Sequence, residues 1–126
     1  MREILLPLEY LHANNMTHGD IRGHNIFINN STAKTKKVSC ISCFFKEESQ
    51  YFQFLENLSR PKLCTLAPEQ LKCLQRHKYD PVYDLKKADV FQAGFCILQA
   101  AALTSCARVY NWRKFTINKG ELVKHL

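Results

Sequence analysis

The longest apolar run, Ala88 to Cys106, constrains the fold most because three polar residues interrupt it: Asp89, Gln92 and Gln99. A bilayer-spanning helix needs about 20 predominantly apolar residues, and an unpaired polar group inside such a span is costly. The run therefore reads as a helix buried on nearly all sides in a soluble core. Just upstream, Asp84 can cap this helix, since an aspartate oxygen at that place accepts from the orphan N–H groups of the first turn. The helix is expected over about 84–103.

The rest of the composition fits that core. The chain has 126 residues, 46% hydrophobic and 23% charged, which suits one domain or part of one with a packed interior. Its formal net charge is +7, but the basic residues are scattered. Lys34, Lys36 and Lys37 form the tightest group, followed by Lys86–Lys87 and Arg113–Lys114. None makes a stripe along a helix, so the excess reads as a solvated surface and not as a dedicated nucleic-acid interface. Met1 to Leu8 lacks the long apolar core of a secretory leader. The six cysteines are then expected to be reduced thiols of a cytoplasmic protein. Cys40 and Cys43 form a CxxC pair, yet no second pair or HxxxH follows at ligand spacing, so no zinc site is expected.

The remaining pattern is mainly helical. Residues 3–14 read as a helix with Ile4, Leu5, Leu8, Leu11 and His12 near one face. Pro7 marks its first turn, with Met1 to Leu6 leading in. Residues 16–25 read as a loop. Ile26 to Ile28 and residues 36–43 read as two strands of one short β-hairpin, joined through Asn29, Asn30 and Ser31. Residues 44–66 read as a long loop, and residues 68–78 as a short helix broken by Asp80-Pro81. A last helix is expected from Asn118 to Leu126.

The chemistry concentrates in the loop, whose polar skeleton is His18-x-Asp20-x-Arg22-x-x-Asn25. A carboxylate can orient a hydroxyl and accept its proton, a nearby cation can stabilise charge on a transferring phosphoryl group, and an amide oxygen suits a hard cation such as Mg²⁺. Preceded by Leu11-His12, this run resembles the protein kinase catalytic loop, H-R-D-L-x-x-x-N. Ala67-Pro68-Glu69 resembles the motif that closes the kinase activation segment. Asp89-Val90-Phe91-Gln92-Ala93-Gly94 resembles the start of the central helix of the kinase lower lobe. The tail, with Tyr110-Asn111-Trp112 and Phe115-Thr116-Ile117-Asn118, is similar to divergent kinase-like sequences of ciliates.

The resemblance implies an incomplete kinase C-terminal lobe of the serine/threonine type over 1–126, mainly α within an α+β family. The catalytic loop would be 18–25, the activation segment about 42–69 and the central helix about 84–103. It implies Asp20 as catalytic base, Arg22 as phosphate contact, and Asn25 as metal and cofactor ligand. His18, Glu69 and Asp89 take structural roles, Asp89 by accepting hydrogen bonds from the loop backbone and Glu69 by pairing with an arginine expected beyond Leu126. ATP and Mg²⁺ are the implied cofactors, and a protein substrate or scaffold partner the implied partner.

The sequence also departs from that pattern. Gly19 stands where many kinases carry an arginine that reads activation-loop phosphate, and Arg22 replaces the usual lysine. At the D-F-G position, Ser42-Cys43-Phe44 or Cys43-Phe44-Phe45 offers no carboxylate; the nearest acids are Glu47 and Glu48. The four glycines, Gly19, Gly23, Gly94 and Gly120, form no G-x-G-x-x-G, and no lysine motif of the upper lobe is present. Phosphotransfer by this isolated chain is therefore not expected. The alternative reading is a pseudokinase-like scaffold or binding module. Phe91, Phe95, Ile97 and Leu98 are expected as core residues and His24 as an exposed one. A shortened lower lobe is expected to expose apolar surface at Phe95 and Leu98, leaving the chain marginally stable.

Overall fold

The structure, a computed structural model, describes residues 2–26, 50, 53, 56, 65–78 and 83–126. Helix α1 spans Arg2–Ala13, α2 Pro68–Arg76, α3 Leu85–Ala102 and α4 Lys119–Lys124. Single 3₁₀ turns lie at Gly23–Asn25 and Ala107–Val109. Strands β1 (Tyr110–Asn111) and β2 (Thr116–Ile117) pair antiparallel, with Tyr110 opposite Ile117. The described residues are thus mainly helical with one small sheet. That sheet is not the hairpin expected over residues 26–43, which lies outside the described residues except for Ile26. Nor are residues 44–66 loop throughout: Gln50, Gln53 and Glu56 are helical, in keeping with the good helix propensity of Gln and Glu.

Local chemistry sets the element ends. Helix α1 starts at Arg2, so Pro7 lies inside it and not in its first turn. Pro7 removes one ladder bond, but it is exposed, where water can replace that bond. Beyond the helix end at Ala13, Asn15 takes the left-handed conformation with φ 56°, a geometry asparagine tolerates. Met16 N–H reaches back to the Leu11 carbonyl at 2.9 Å, closing the end and turning the chain into the loop. Asp84 caps α3 by accepting from the N–H groups of Lys86 and Lys87 at 3.0 and 3.2 Å. The ammonium of Lys86 then bonds the His12 carbonyl at 2.8 Å and Asn15 Oδ1 at 3.1 Å. The start of α3 and the end of α1 are therefore fixed to each other.

Helix α3 is the floor under everything else. One core lies between α2, α3 and the segment after α3, built from Leu66, Leu71, Leu74, Phe95, Cys106, Val109 and Tyr110. A smaller one, Leu8, Ile21, Ala93 and Cys96, joins α1 and the loop to the other flank of α3. The expectation that Phe95 and Leu98 stand open is not met. The chain doubles back after α3, so that Phe95 is 4% exposed and meets Tyr110 edge-on at 5.3 Å, while Leu98 packs against the same core. Trp112 stacks on Tyr110 at 5.1 Å. The open side of α3 lies elsewhere. Val90 is 58% exposed and nothing approaches a Cβ placed on Gly94, so the helix is not buried on all sides.

Phe95→Ala should destabilise the chain by about 3–5 kcal/mol, the usual cost of deleting a buried phenyl ring. Tyr110→Phe, which orphans the buried Leu66 carbonyl bonded at 2.8 Å, should cost about 1–3 kcal/mol. Urea denaturation of both variants checks the ranking.

Candidate functional site

The loop from Thr17 to Asn25 contains no regular ladder before its final 3₁₀ turn, so its backbone groups need partners from elsewhere. Asp89, one turn into α3 and 1% exposed, supplies two. Its Oδ2 accepts from the N–H of His18 at 2.7 Å and its Oδ1 from the N–H of Gly19 at 2.8 Å. His12 Nε2 approaches Oδ2 at 3.0 Å. A carboxylate with two oxygens can hold both backbone donors at once, which is the contact expected of Asp89.

A second clamp was not foreseen. Gln92 lies one turn further along α3. Its Oε1 accepts from Ile21 N–H at 2.8 Å, and its Nε2 donates to the Gly19 carbonyl at 3.4 Å and to Gln70 Oε1 at 3.1 Å. Gln70 Oε1 also accepts from Ala67 N–H at 2.9 Å. Thr65 Oγ1 and Cys96 Sγ both donate to the Ile21 carbonyl. Burial, then the neighbouring Asp20, pushes the Cys96 thiol up to about 12, so it remains a protonated donor. The sequence signal for this network was available: Gln92 interrupts an apolar run at an inward helical position, and such a residue must find partners.

The clamps present three side chains together. Asn25 Nδ2 donates to the Asp20 carbonyl at 2.8 Å and to Asp20 Oδ2 at 2.9 Å. Both partners are acceptors, so the amide nitrogen must face them and Oδ1 must face away. Arg22 Nε lies 3.0 Å from the same Asp20 Oδ2, an ion pair whose N–H is not aligned as a hydrogen bond. Asp20 N–H donates to His18 Nδ1 at 3.0 Å, which places the acceptor side of that imidazole inside the loop.

Burial dominates the electrostatics. It raises the pKa of Asp20 against the opposing pull of Arg22 and the hydrogen bond from Asn25. Burial likewise lowers the pKa of His18, opposed by the charges of Asp89 and Asp20. The arrangement can therefore do two things chemically. Asp20 is a carboxylate with more than usual appetite for a proton, and among the described residues its Oδ1 receives no hydrogen bond. Asn25 Oδ1 is a neutral oxygen oriented away from its amide's partners.

Against protein families, curated proteins and solved structures alike, the chain finds no match.

The other expected positions fall apart from this cluster. Glu69 is half-buried at the start of α2, and among the described residues it has no ion pair. His24 and Lys87 are exposed. Residues 42–45, Glu47, Glu48, the Cys40–Cys43 pair, Cys64, the basic group Lys34, Lys36 and Lys37, and the Asp80-Pro81 break lie outside the described residues. Among the described residues no cluster of three or more His, Cys, Asp or Glu side chains could hold a metal; Cys73, Cys96 and Cys106 are buried, and Cys96 and Cys106 are free thiols. No described helix is long and apolar enough to cross a membrane.

Two outcomes follow for stability. Asp89→Asn turns an amide NH₂ towards a backbone N–H, and should cost about 1–3 kcal/mol in urea denaturation. Because the pKa of His18 is lowered on folding, the unfolded chain takes up this proton first as the medium acidifies. The stability tied to neutral His18 is present above the ordinary histidine pKa of about 6.5 and is lost as pH falls through the lower folded value. His18→Asn, whose Oδ1 can accept from Asp20 N–H, should flatten that acid-side slope in denaturation series below about pH 6.5.

Proposed function

We propose that this chain is a protein-kinase-like catalytic lobe of the serine/threonine type, within a protein that transfers the γ-phosphoryl group of ATP to a protein hydroxyl. The observation that carries the reading is the joint geometry of Asp89 and Asn25. A buried helix carboxylate holds the loop by two backbone N–H groups, and the loop in turn bonds an amide to the carboxylate that would act. The resemblance of three ordered motifs supplies the reaction class. The function rests on that resemblance and on this geometry together.

In this reading Asp20 orients the substrate hydroxyl and accepts its proton at Oδ1. Its raised pKa favours that acceptance, because a stronger base takes the proton more readily. Asn25 positions Asp20 through both of its oxygen partners and keeps its own Oδ1 for Mg²⁺, a hard cation that prefers oxygen ligands. When bound, the ion would neutralise charge on the ATP phosphates. Arg22 holds Asp20 by charge and keeps the terminal nitrogens of its guanidinium for a phosphoryl oxygen. Buried free thiols accord with the proposed cytoplasmic setting.

One observation favours a second reading. Asp20 is 2% exposed, so a substrate hydroxyl reaches it only when covering residues move aside. Together with the missing carboxylate at residues 42–45, this fits a pseudokinase-like scaffold that keeps the fold of the loop without its turnover.

The test is radiolabelled phosphoryl transfer to Ser/Thr protein substrates by the protein isolated from its source. Transfer that falls about 10²–10⁴-fold in Asp20→Asn supports the base assignment. Transfer indifferent to that change refutes it. Absence of both transfer and Mg²⁺-dependent ATP binding supports the scaffold reading.

A further inference from the structure

Two side-chain amides connect the segment before α2 to the loop that carries Asp20, and no charge takes part in the connection. Gln70 Oε1 accepts both Ala67 N–H, at 2.9 Å, and Gln92 Nε2, at 3.1 Å. Gln92 then reaches Ile21 N–H at 2.8 Å and the Gly19 carbonyl at 3.4 Å, the two peptide groups that flank Asp20. Gln70 and Gln92 are each 1% exposed. At that burial each polar atom is worth more satisfied than lost, and a chain of such bonds responds as a unit. The polarity of the chain is fixed. Ala67 N–H can only donate, so Gln70 must present its oxygen; Gln92 must then present its nitrogen to Gln70 and its oxygen to Ile21. No alternative arrangement of the two amides satisfies the same groups.

We propose that Gln70 and Gln92 are positioning residues that couple the Thr65–Ala67 segment to the Asp20 loop. A partner or chain movement that displaces Ala67 is then felt at Gly19 and Ile21, and through them at Asp20, without a phosphate or an ion pair as intermediary. Gly19 has no side chain with which to read a charge, and the amide pair gives the loop a neutral route to the same segment. The functional meaning of this coupling rests on the reading of Asp20 given above; the coupling itself does not.

The experiment reads each end of the chain after a change at the other. In Gln70→Met, site-resolved hydrogen exchange should be at least about tenfold faster at the amide of Ile21, which Gln92 holds and Gln70 does not touch; tenfold corresponds to about 1.4 kcal/mol. Gln75→Met is the control. Gln75 belongs to the same helix but, among the described residues, bonds the Lys114 carbonyl at its exposed side, and its loss should leave Ile21 unchanged. If Gln70→Met does not yield a folded chain, Gln92→Glu is read instead from the opposite end, where losing the Nε2 donor should accelerate exchange at Ala67. Acceleration confined to Ala67 in Gln70→Met, or an unmoved Ala67 in Gln92→Glu, overturns the coupling. Neither result touches the assignment of Asp20 as a base, which stands or falls on phosphoryl transfer.

Discussion

The two hydrogen bonds from the His18 and Gly19 amides to the Asp89 carboxylate are the constraint on which the site depends. Those amides belong to a loop without a ladder of its own, so their satisfaction must come from a side chain that is itself fixed. Asp89 is fixed by α3, and α3 is fixed by its Asp84 cap and by the packing of Phe95 and Cys96 on its two flanks. Lys86 adds a bond across to the end of α1, so the helix that enters the loop and the helix beneath it share one frame. Buried hydrogen bonds to a carboxylate are stronger than neutral ones, yet they contribute only while both sides stay paired. The loop and the helix therefore hold each other, and loss of either partner leaves a costly orphan.

From that frame the chemistry follows by subtraction. The described backbone bonds of residues 18–21 go to Asp89, Gln92, Thr65, Cys96, the His18 ring and Asn25, and the Asn25 amide nitrogen is committed to Asp20. Among the described residues, the Asp20 Oδ1, the Asn25 Oδ1 and the outer nitrogens of Arg22 remain for an external group. These are a proton acceptor, an oxygen donor to a hard cation and a planar cation for an anionic oxygen. That combination is suited to moving a phosphoryl group, and the proposed kinase-like role is the assembly of those parts. The burial of Asp20 sets its proton affinity and restricts its access at the same time.

Much of the fold was legible because it rests on local chemistry. The helix starts expected at Asp84, residue 68 and Asn118 lie within a residue of their observed places, where the structure shows an aspartate cap, a first-turn proline and an asparagine cap. Asp89 could be matched to the loop only through the resemblance of Asp89–Gly94 to the start of the kinase central helix, which implies that contact; the apolar run by itself showed no more than an interrupting carboxylate. Three features were not legible. Pro7 lies within α1 because an exposed turn tolerates a lost bond, a fact about burial that periodicity does not carry. The return of residues 106–117 over Phe95 is a tertiary choice between distant segments, and Phe115 reaches its place through a left-handed backbone with φ 50° that its residue type does not announce. The Gln70–Gln92 pair joins positions 22 residues apart, and nothing at either position names the other.

The central claim is that Asp89 holds the loop by two backbone amides, and trans-hydrogen-bond NMR coupling tests it most directly. In uniformly labelled protein, the nitrogens of His18 and Gly19 should each show a measurable coupling to the Asp89 carboxylate carbon. Their amide protons should also exchange slowly. Absence of both couplings, with both amides exchanging as freely as a solvated loop, would contradict the account.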